Sequence, residues 1–357
     1  VLDKGIFNVF LIHGVTGSGK TEVYLQAMKK VVDSGKQVLV LIPEISLTPQ
    51  TVRRFRSRVK EISILHSNLT EAERYRHWKN IYNGHSRVII GARSAVFAPA
   101  RQLGLIIIDE EHENTFKQQN VPRYHARDVA IMRAKMLGIP VILGSATPSL
   151  ESYYNALKGK YTLCELPKRI FQSQMPMCRV VDLRTEANIK KGFNGISQFL
   201  EIQMRACLRR GEQIILFLNQ RGYSTTLFCG RCGYCFSCKR CAVSVTFHKK
   251  RGICICYYCG EHYPVPDICP QCLGAPLLPL GIGTERIENE VRQKFPEARI
   301  ARMDSDTMRS RERYEQILTA FKKHELDILI GTQMIAKGHD FPKVGLVGVI
   351  LADTSLY

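Results

Sequence analysis

Short apolar runs recur along the first 150 residues, separated by stretches with helical spacing. Residues 7–12, 37–42, 87–90, 105–108 and 140–143 are each almost wholly apolar. Runs of this kind, apolar on both faces and joined by helices, predict a parallel sheet covered on both sides. Thr70-x-x-Glu73 is a capping box that opens one of those helices. A second series follows, with strands predicted at 214–218, 328–330 and 347–351 and helices near 197–209 and 309–323. A cysteine-rich window interrupts this second series. The expected fold is α/β, with two parallel-sheet domains and a small insert in the second.

Length and charge narrow the class. A chain of 357 residues, 45% of them hydrophobic, has room for two buried cores. Its 51 basic and 32 acidic residues leave a net charge of +19, which favours a polyanionic partner such as nucleic acid. No apolar run reaches the roughly 18 to 20 residues of a membrane span, and no basic-then-apolar leader is present. The expectation is a cytoplasmic protein with no membrane partner. The chain starts at Val1 rather than Met, as a fragment of a longer protein would.

Gly14-Val15-Thr16-Gly17-Ser18-Gly19-Lys20-Thr21 follows an apolar strand and precedes a helix. This is the G-x-x-x-x-G-K-[ST] phosphate loop: glycines let successive backbone N–H groups turn toward one anion, and the helix adds its positive end. ATP with Mg²⁺ is the expected cofactor. Lys20 is expected to reach the β- and γ-phosphates and Thr21 to ligate the Mg²⁺. The run at 105–108 delivers Asp109 and Glu110 to the carboxyl end of a strand, where open parallel sheets bind ligands. Asp109 is the candidate Mg²⁺ holder and Glu110 the candidate general base.

Those residues specify a nucleotide hydrolase without its purpose. Asp109-Glu110-Glu111-His112 is a D-E-x-H box, Gly144-Ser145-Ala146-Thr147 follows another buried strand, and residues 331–341 follow a third. With these the chain resembles superfamily 2 helicases, which imply two RecA-like domains clamping ATP. Ile42-Pro43-Glu44-Ile45-Ser46-Leu47-Thr48, Gly91-Ala92-Arg93-Ser94-Ala95-Val96-Phe97, Leu218-Asn219-Gln220-Arg221-Gly222-Tyr223 and Gly283-Thr284-Glu285 come in the expected order. Together they resemble the primosomal protein N′ (PriA) family of replication-restart helicases over essentially the whole chain. The resemblance implies an ATP-dependent 3′–5′ helicase acting on single-stranded and forked DNA. It also implies primosome proteins and single-strand DNA-binding protein as partners, and a bacterial, nucleoid-associated location. A non-catalytic zinc module that docks DNA or partners, its motor vestigial, is the alternative.

Residues 116–128 mix aromatic and basic side chains directly after the acid box. Aromatic faces stack on bases and basic groups track phosphates; in the resembled family such a loop couples DNA contact to hydrolysis. Arg53, Arg54, Arg56 and Arg58 spread around a helix and read as a solvated face.

Ten of the 13 cysteines lie between Cys229 and Cys272. Four C-x-x-C pairs stand out: Cys229/Cys232, Cys238/Cys241, Cys256/Cys259 and Cys269/Cys272. Two such knuckles complete a tetrahedral Cys₄ site, so eight thiolates predict two structural Zn²⁺ ions. An iron–sulfur cluster is the other occupant four thiolates allow; the compact knuckles favour zinc. The resemblance implies nested pairing, outer pairs on one ion and inner pairs on the other, while sequence alone leaves sequential pairing open. Cys235 and Cys254 read as non-ligands.

The expected domains are 1–165 and, for the second motor domain, 166–227 and 276–357, with 228–275 the zinc insert. The chain stops before the glutamine- and arginine-containing motif into which the resembled family continues. The expectation is a polypeptide that binds nucleotide but hydrolyses it weakly or not at all.

Overall fold

The computed structural model describes residues 6–44, 49–67, 69–170, 176–183, 195–218, 226–229, 231–248, 252–274, 276–280, 284–304, 311–332, 335 and 341–352. Several motif residues lie outside these: 45–48, 219–223, 283, 333–334, 336–340 and 353–357. The chain forms two compact units, Val1–Pro176 and Met177–Tyr357.

The first unit runs β1 (Val9–Gly14), α1 (Lys20–Asp33), β2 (Gln37–Leu41), α2 (Pro49–Arg56), β3 (Ile62–Leu65), α3 (Glu71–Tyr82), β4 (Val88–Gly91), β5 (Leu103–Asp109), α4 (Ala126–Leu137), β6 (Val141–Ser145), α5 (Leu150–Leu157) and β7 (Thr162–Leu166). All seven strands are parallel, in the order β3-β4-β2-β5-β6-β1-β7. The apolar runs are continuous because alternate residues serve opposite faces. Leu39, Leu41, Ile106 and Ile108 enter one core, and Val38, Val40, Leu105 and Ile107 the other. Each such side chain taken fully from water contributes about 1.5–3 kcal/mol. The Thr70 box is formed in both directions: Thr70 Oγ1 accepts from Glu73 N and Glu73 Oε2 accepts from Thr70 N, at 3.3 and 3.0 Å.

The second unit runs α6 (Gln198–Arg209), β8 (Gln213–Leu218), β9 (Thr226–Cys229), β10 (Thr246–His248), β11 (Ile253–Ile255), β12 (His262–Pro264), β13 (Leu277–Leu280), α7 (Thr284–Lys294), β14 (Ile300–Met303), α8 (Arg311–Lys322), β15 (Ile328–Gly331) and β16 (Val344–Ile350). Its main sheet is parallel, β14-β15-β8-β16. Between β8 and α7 the chain leaves that sheet and builds two small antiparallel ones, β10-β11-β12 and β13-β9. This excursion is the cysteine-rich insert. Among the described residues, no helix is long and apolar enough to cross a membrane.

Candidate nucleotide site and metal centre

The carboxyl ends of β5, β6 and β1 lie side by side, with Asp109 opposite Gly144 and His13 opposite Ser145. That register brings the acid box, the Gly144–Thr147 segment and the phosphate loop to one sheet edge. In the loop, Gly17 and Gly19 have φ of 82° and 91°, a left-handed geometry that any side chain would strain. Lys20 opens α1 and its Nζ donates to the Gly14 carbonyl at 2.7 Å. Among the described residues the buried Ser18 hydroxyl has no hydrogen-bond partner, a polar atom that a phosphate oxygen would satisfy. The end of β7 and the segment after it close against the loop: Val15 N donates to Leu166 O at 3.2 Å, and Ile170 N to Gly17 O at 3.1 Å.

Asp109 ends β5 half-buried at the carboxyl end of the sheet. Burial and the neighbouring Glu110 charge push its carboxyl up to about 6, against the pull of Tyr24 and Lys20. A cation there would lower it again, as expected of an acid shaped for a metal. Glu110 adopts φ 50°, a left-handed conformation that costs a non-glycine residue energy and clusters at functional sites. His112 Nδ1 and Thr147 N both meet Ser145 Oγ, at 2.8 and 2.9 Å, so the acid box and the Gly144–Thr147 segment share one hydroxyl.

The aromatic-basic loop leaves and returns at the same place. Gln118 N donates to Tyr124 O at 2.8 Å, and Arg93 Nη1 donates to the carbonyls of Thr115 and Lys117 at 3.2 and 3.0 Å. Lys117 and Arg123 are exposed, and Tyr124 packs edge-to-face on the exposed Phe97, centroids 5.1 Å apart. Two of its side chains turn inward instead. Phe116 is core, and Arg127 is buried in an ion pair with Glu111; neither tracks a phosphate. The exposed Arg53, Arg54, Arg56 and Arg58 form a solvated face, with Arg58 paired to Glu22 at 3.1 Å.

The eight knuckle cysteines gather into two tetrads. Cys229, Cys232, Cys269 and Cys272 form one; Cys238, Cys241, Cys256 and Cys259 form the other, with ligand atoms within 4.8 Å of one another. The Cys229–Cys272, Cys232–Cys269 and Cys238–Cys259 sulfurs are 3.6, 3.7 and 3.7 Å apart. A tetrahedron with Zn–S bonds of about 2.3 Å has edges of about 3.8 Å, so the donor set fits zinc. The four knuckles also share a backbone shape. Gly233, Ala242, Gly260 and Leu273, each directly after a second cysteine, all have φ between 53° and 77°. Backbone N–H groups of the turns aim at sulfur. Burial pushes the Cys229 thiol up, but amides of Cys232 and Arg231 bring it down to about 7. The Tyr263 hydroxyl, 3.1 Å away, leads in holding Cys238 near 6. Neither Cys235 nor Cys254 joins a tetrad, and burial pushes the Cys254 thiol up to about 11.

Comparison with known proteins follows the same division. Residues 4–156 match the DEAD/DEAH box helicase family and residues 282–356 the helicase conserved C-terminal domain. Replication restart protein PriA of Bacillus subtilis is 48% identical over the whole chain, and that of Haemophilus influenzae 46% identical over 98% of it. The chain belongs to the PriA family of helicases. It spans 44% and 48% of those two relatives, about half their length. Among solved structures, Mycobacterium smegmatis helicase Lhr bound to ssDNA and AMP-PNP superposes with a TM-score of 0.55 at 17% identity, covering 96% of this chain and 40% of that one. Helicase MrfA bound to DNA gives 0.53 at 12% identity, covering 98% and 43%. These neighbours show a RecA-like parallel α/β fold.

In this PriA-family chain the cysteine tetrads fall between the two matched helicase segments, and each is compatible with zinc. Sequence reasoning missed two residues at the nucleotide edge. Glu111, the unassigned position of D-E-x-H, is fully buried and accepts from Arg127 Nη1, Ser149 N, Ser149 Oγ and Ser152 Oγ at 3.0, 2.6, 2.9 and 2.8 Å. Tyr24 is fully buried in α1 and donates to Asp109 Oδ1 at 3.1 Å. Spacing could not find either one, because both answer to partners distant in sequence.

Proposed function

We propose that this chain is the motor core of an ATP-dependent 3′–5′ DNA helicase of replication restart. In this reading it couples ATP hydrolysis to translocation on single-stranded DNA and to primosome assembly at stalled forks, in the bacterial cytoplasm on the nucleoid. Residues 1–165 serve as the first RecA-like domain, 166–227 and 276–357 as two parts of the second, and 228–275 as the zinc insert. The observation that carries the reading is one sheet edge holding Lys20, Asp109 and Glu110 beside Gly144–Thr147, with an unsatisfied Ser18 hydroxyl in the loop. Family membership supports the DNA-directed part.

The residues divide the work by chemistry. Gly14, Val15, Thr16, Gly17, Ser18, Gly19, Lys20 and Thr21 form the phosphate cradle, its backbone N–H groups and the Lys20 ammonium facing the anion. When bound, ATP would supply the transferable phosphoryl group and Mg²⁺ would neutralise its developing charge. Asp109 holds the cation and Glu110 orients and deprotonates the attacking water. Ser145 ties His112 to the neighbouring segment, a route by which DNA contact reaches the acids. The exposed Lys117, Arg123 and Phe97 beside the box contact single-stranded DNA, whose bases stack and whose phosphates pair with cations. Cys229, Cys232, Cys269 and Cys272 hold one structural zinc, and Cys238, Cys241, Cys256 and Cys259 the other. Single-strand DNA-binding protein and primosome proteins are the proposed protein partners.

ATP hydrolysis measured with single-stranded DNA, forked DNA, RNA or no nucleic acid tests the reading. Stimulation by DNA supports it. Stimulation by RNA alone, or by no nucleic acid, overturns it; absent ATP hydrolysis together with DNA binding that Lys20→Ala leaves unchanged overturns it in favour of a zinc-bearing docking module.

A further inference from the structure

We propose that Tyr24 is a positioning residue of the nucleotide site, fixing the Asp109 carboxylate toward a divalent cation while seated in a slot that only Gly144 leaves open. This rests on the nucleotide reading above and assigns a role within it.

Tyr24 stands one turn along α1 from Lys20, so its ring is carried by the same helix that ends the phosphate loop. The ring is completely buried among the sheet residues of one core. Its hydroxyl is the one polar end of that ring, and a buried hydroxyl needs a partner. It finds Asp109 Oδ1 at 3.1 Å, and Glu110 N donates to the same oxygen at 3.1 Å. Both hydrogen bonds fall on Oδ1; among the described residues Oδ2 accepts none. Two donors on one oxygen fix the plane of the carboxylate and turn the other oxygen outward, the arrangement expected of a ligand oriented by its surroundings.

The slot explains the glycine. A Cβ on Gly144 would stand 1.5 Å from the Tyr24 hydroxyl oxygen and 2.6 Å from its ring carbon Cζ. Any side chain there expels the phenol. Gly144 also pairs in register with Asp109 across the parallel sheet. The phosphate-loop helix, the acid strand and the Gly144 strand therefore meet at one phenol. A ring serving only as core filler could be a phenylalanine, which needs no partner.

Tyr24→Phe separates the two roles, since it keeps the ring and deletes only the hydroxyl. The readout is the affinity for a fluorescent ADP analogue in excess Mg²⁺ and in EDTA, with the melting temperature recorded. The expected result is a loss of about tenfold in the Mg²⁺-dependent gain in affinity, equivalent to roughly 1.4 kcal/mol, with little change in EDTA. In an Asp109→Asn background the same substitution is expected to have no further effect. Equal losses in Mg²⁺ and EDTA, an unchanged Mg²⁺ gain, or an undiminished effect in Asp109→Asn would each overturn the proposal. A wild-type chain that binds no nucleotide in either buffer removes the site itself, and this role with it.

Discussion

Glu111 is the residue whose replacement has the most to say about the motor fold. Its carboxylate is wholly buried and accepts four hydrogen bonds, one of them from Arg127, itself 8% exposed. Glu111→Ala removes the acceptor and leaves a buried guanidinium facing two serine hydroxyls, with Asp128 at 3.1 Å from Nε its remaining ion-pair partner. Breaking one side of a buried ion pair costs about 3–5 kcal/mol. For a unit of this size each kcal/mol is worth roughly 2–4 °C, so the melting temperature is expected to fall by about 6–20 °C. Glu111→Gln keeps the shape but loses the charge, and a charge-assisted hydrogen bond is worth about 1.5–3 kcal/mol. Arg127→Met combined with Glu111→Leu should recover much of the loss, because a buried pair replaced by apolar groups of similar size is often near neutral. Urea denaturation of the wild type, Glu111→Leu, Arg127→Met and the double variant gives the coupling energy directly. A loss below about 1 kcal/mol for Glu111→Ala, or additive behaviour in the double variant, would refute the claim that this pair braces the acid box against α4 and α5.

Three further outcomes follow from the geometry. Metal analysis of the purified chain should find zinc in both tetrads, and Cys238→Ser should remove the ion of the inner one alone; disordering of both sites together would show that they are not independent. Burial holds the Glu290 carboxyl up at about 7, only partly offset by Lys294 at 4.0 Å. The folded chain therefore keeps a proton that the unfolded chain, with a glutamate near ~4.3, releases. Glu290's contribution to stability is complete below that value and is lost as pH rises toward 7, so Glu290→Gln should flatten the decline measured by thermal melting between those limits. Thr70→Ala breaks the reciprocal cap of α3 and is expected to cost about 1 kcal/mol in a urea melt.

Much of this was legible in the order of residues. The five strands of the first unit that the pattern predicts are runs apolar on both faces, and burial on both sides of a parallel sheet leaves that pattern. The strands that escaped were weaker in it. Ser63 interrupts β3, its buried hydroxyl meeting Ser86 Oγ at 2.7 Å and His77 Nδ1 at 3.2 Å; β7 is an edge strand with two exposed positions. The knuckle cysteines were legible because a metal needs its ligands at short, repeated spacing. Their nested grouping was not, since it depends on β9 pairing with β13 across the insert. Glu111 looked like a spacer because box motifs record the chemistry of the phosphate side, and its role is set by helices that close on it from behind. The burial of Arg127 within the aromatic-basic stretch was hidden for the converse reason: charge is visible in a sequence, burial is not.

In the proposed motor, nucleotide and DNA act on one another through this chain. Two ligands that bias the same states change each other's affinity reciprocally, whether or not hydrolysis is fast. The direct measurement is the affinity for a fluorescent single-stranded oligonucleotide at fixed salt, taken without nucleotide, with Mg–ADP and with a non-hydrolysable Mg–ATP analogue. The account predicts affinities that differ several-fold between nucleotide states, a difference that Lys20→Ala abolishes. Identical affinities in all three states, with Lys20→Ala indistinguishable from wild type, would contradict it.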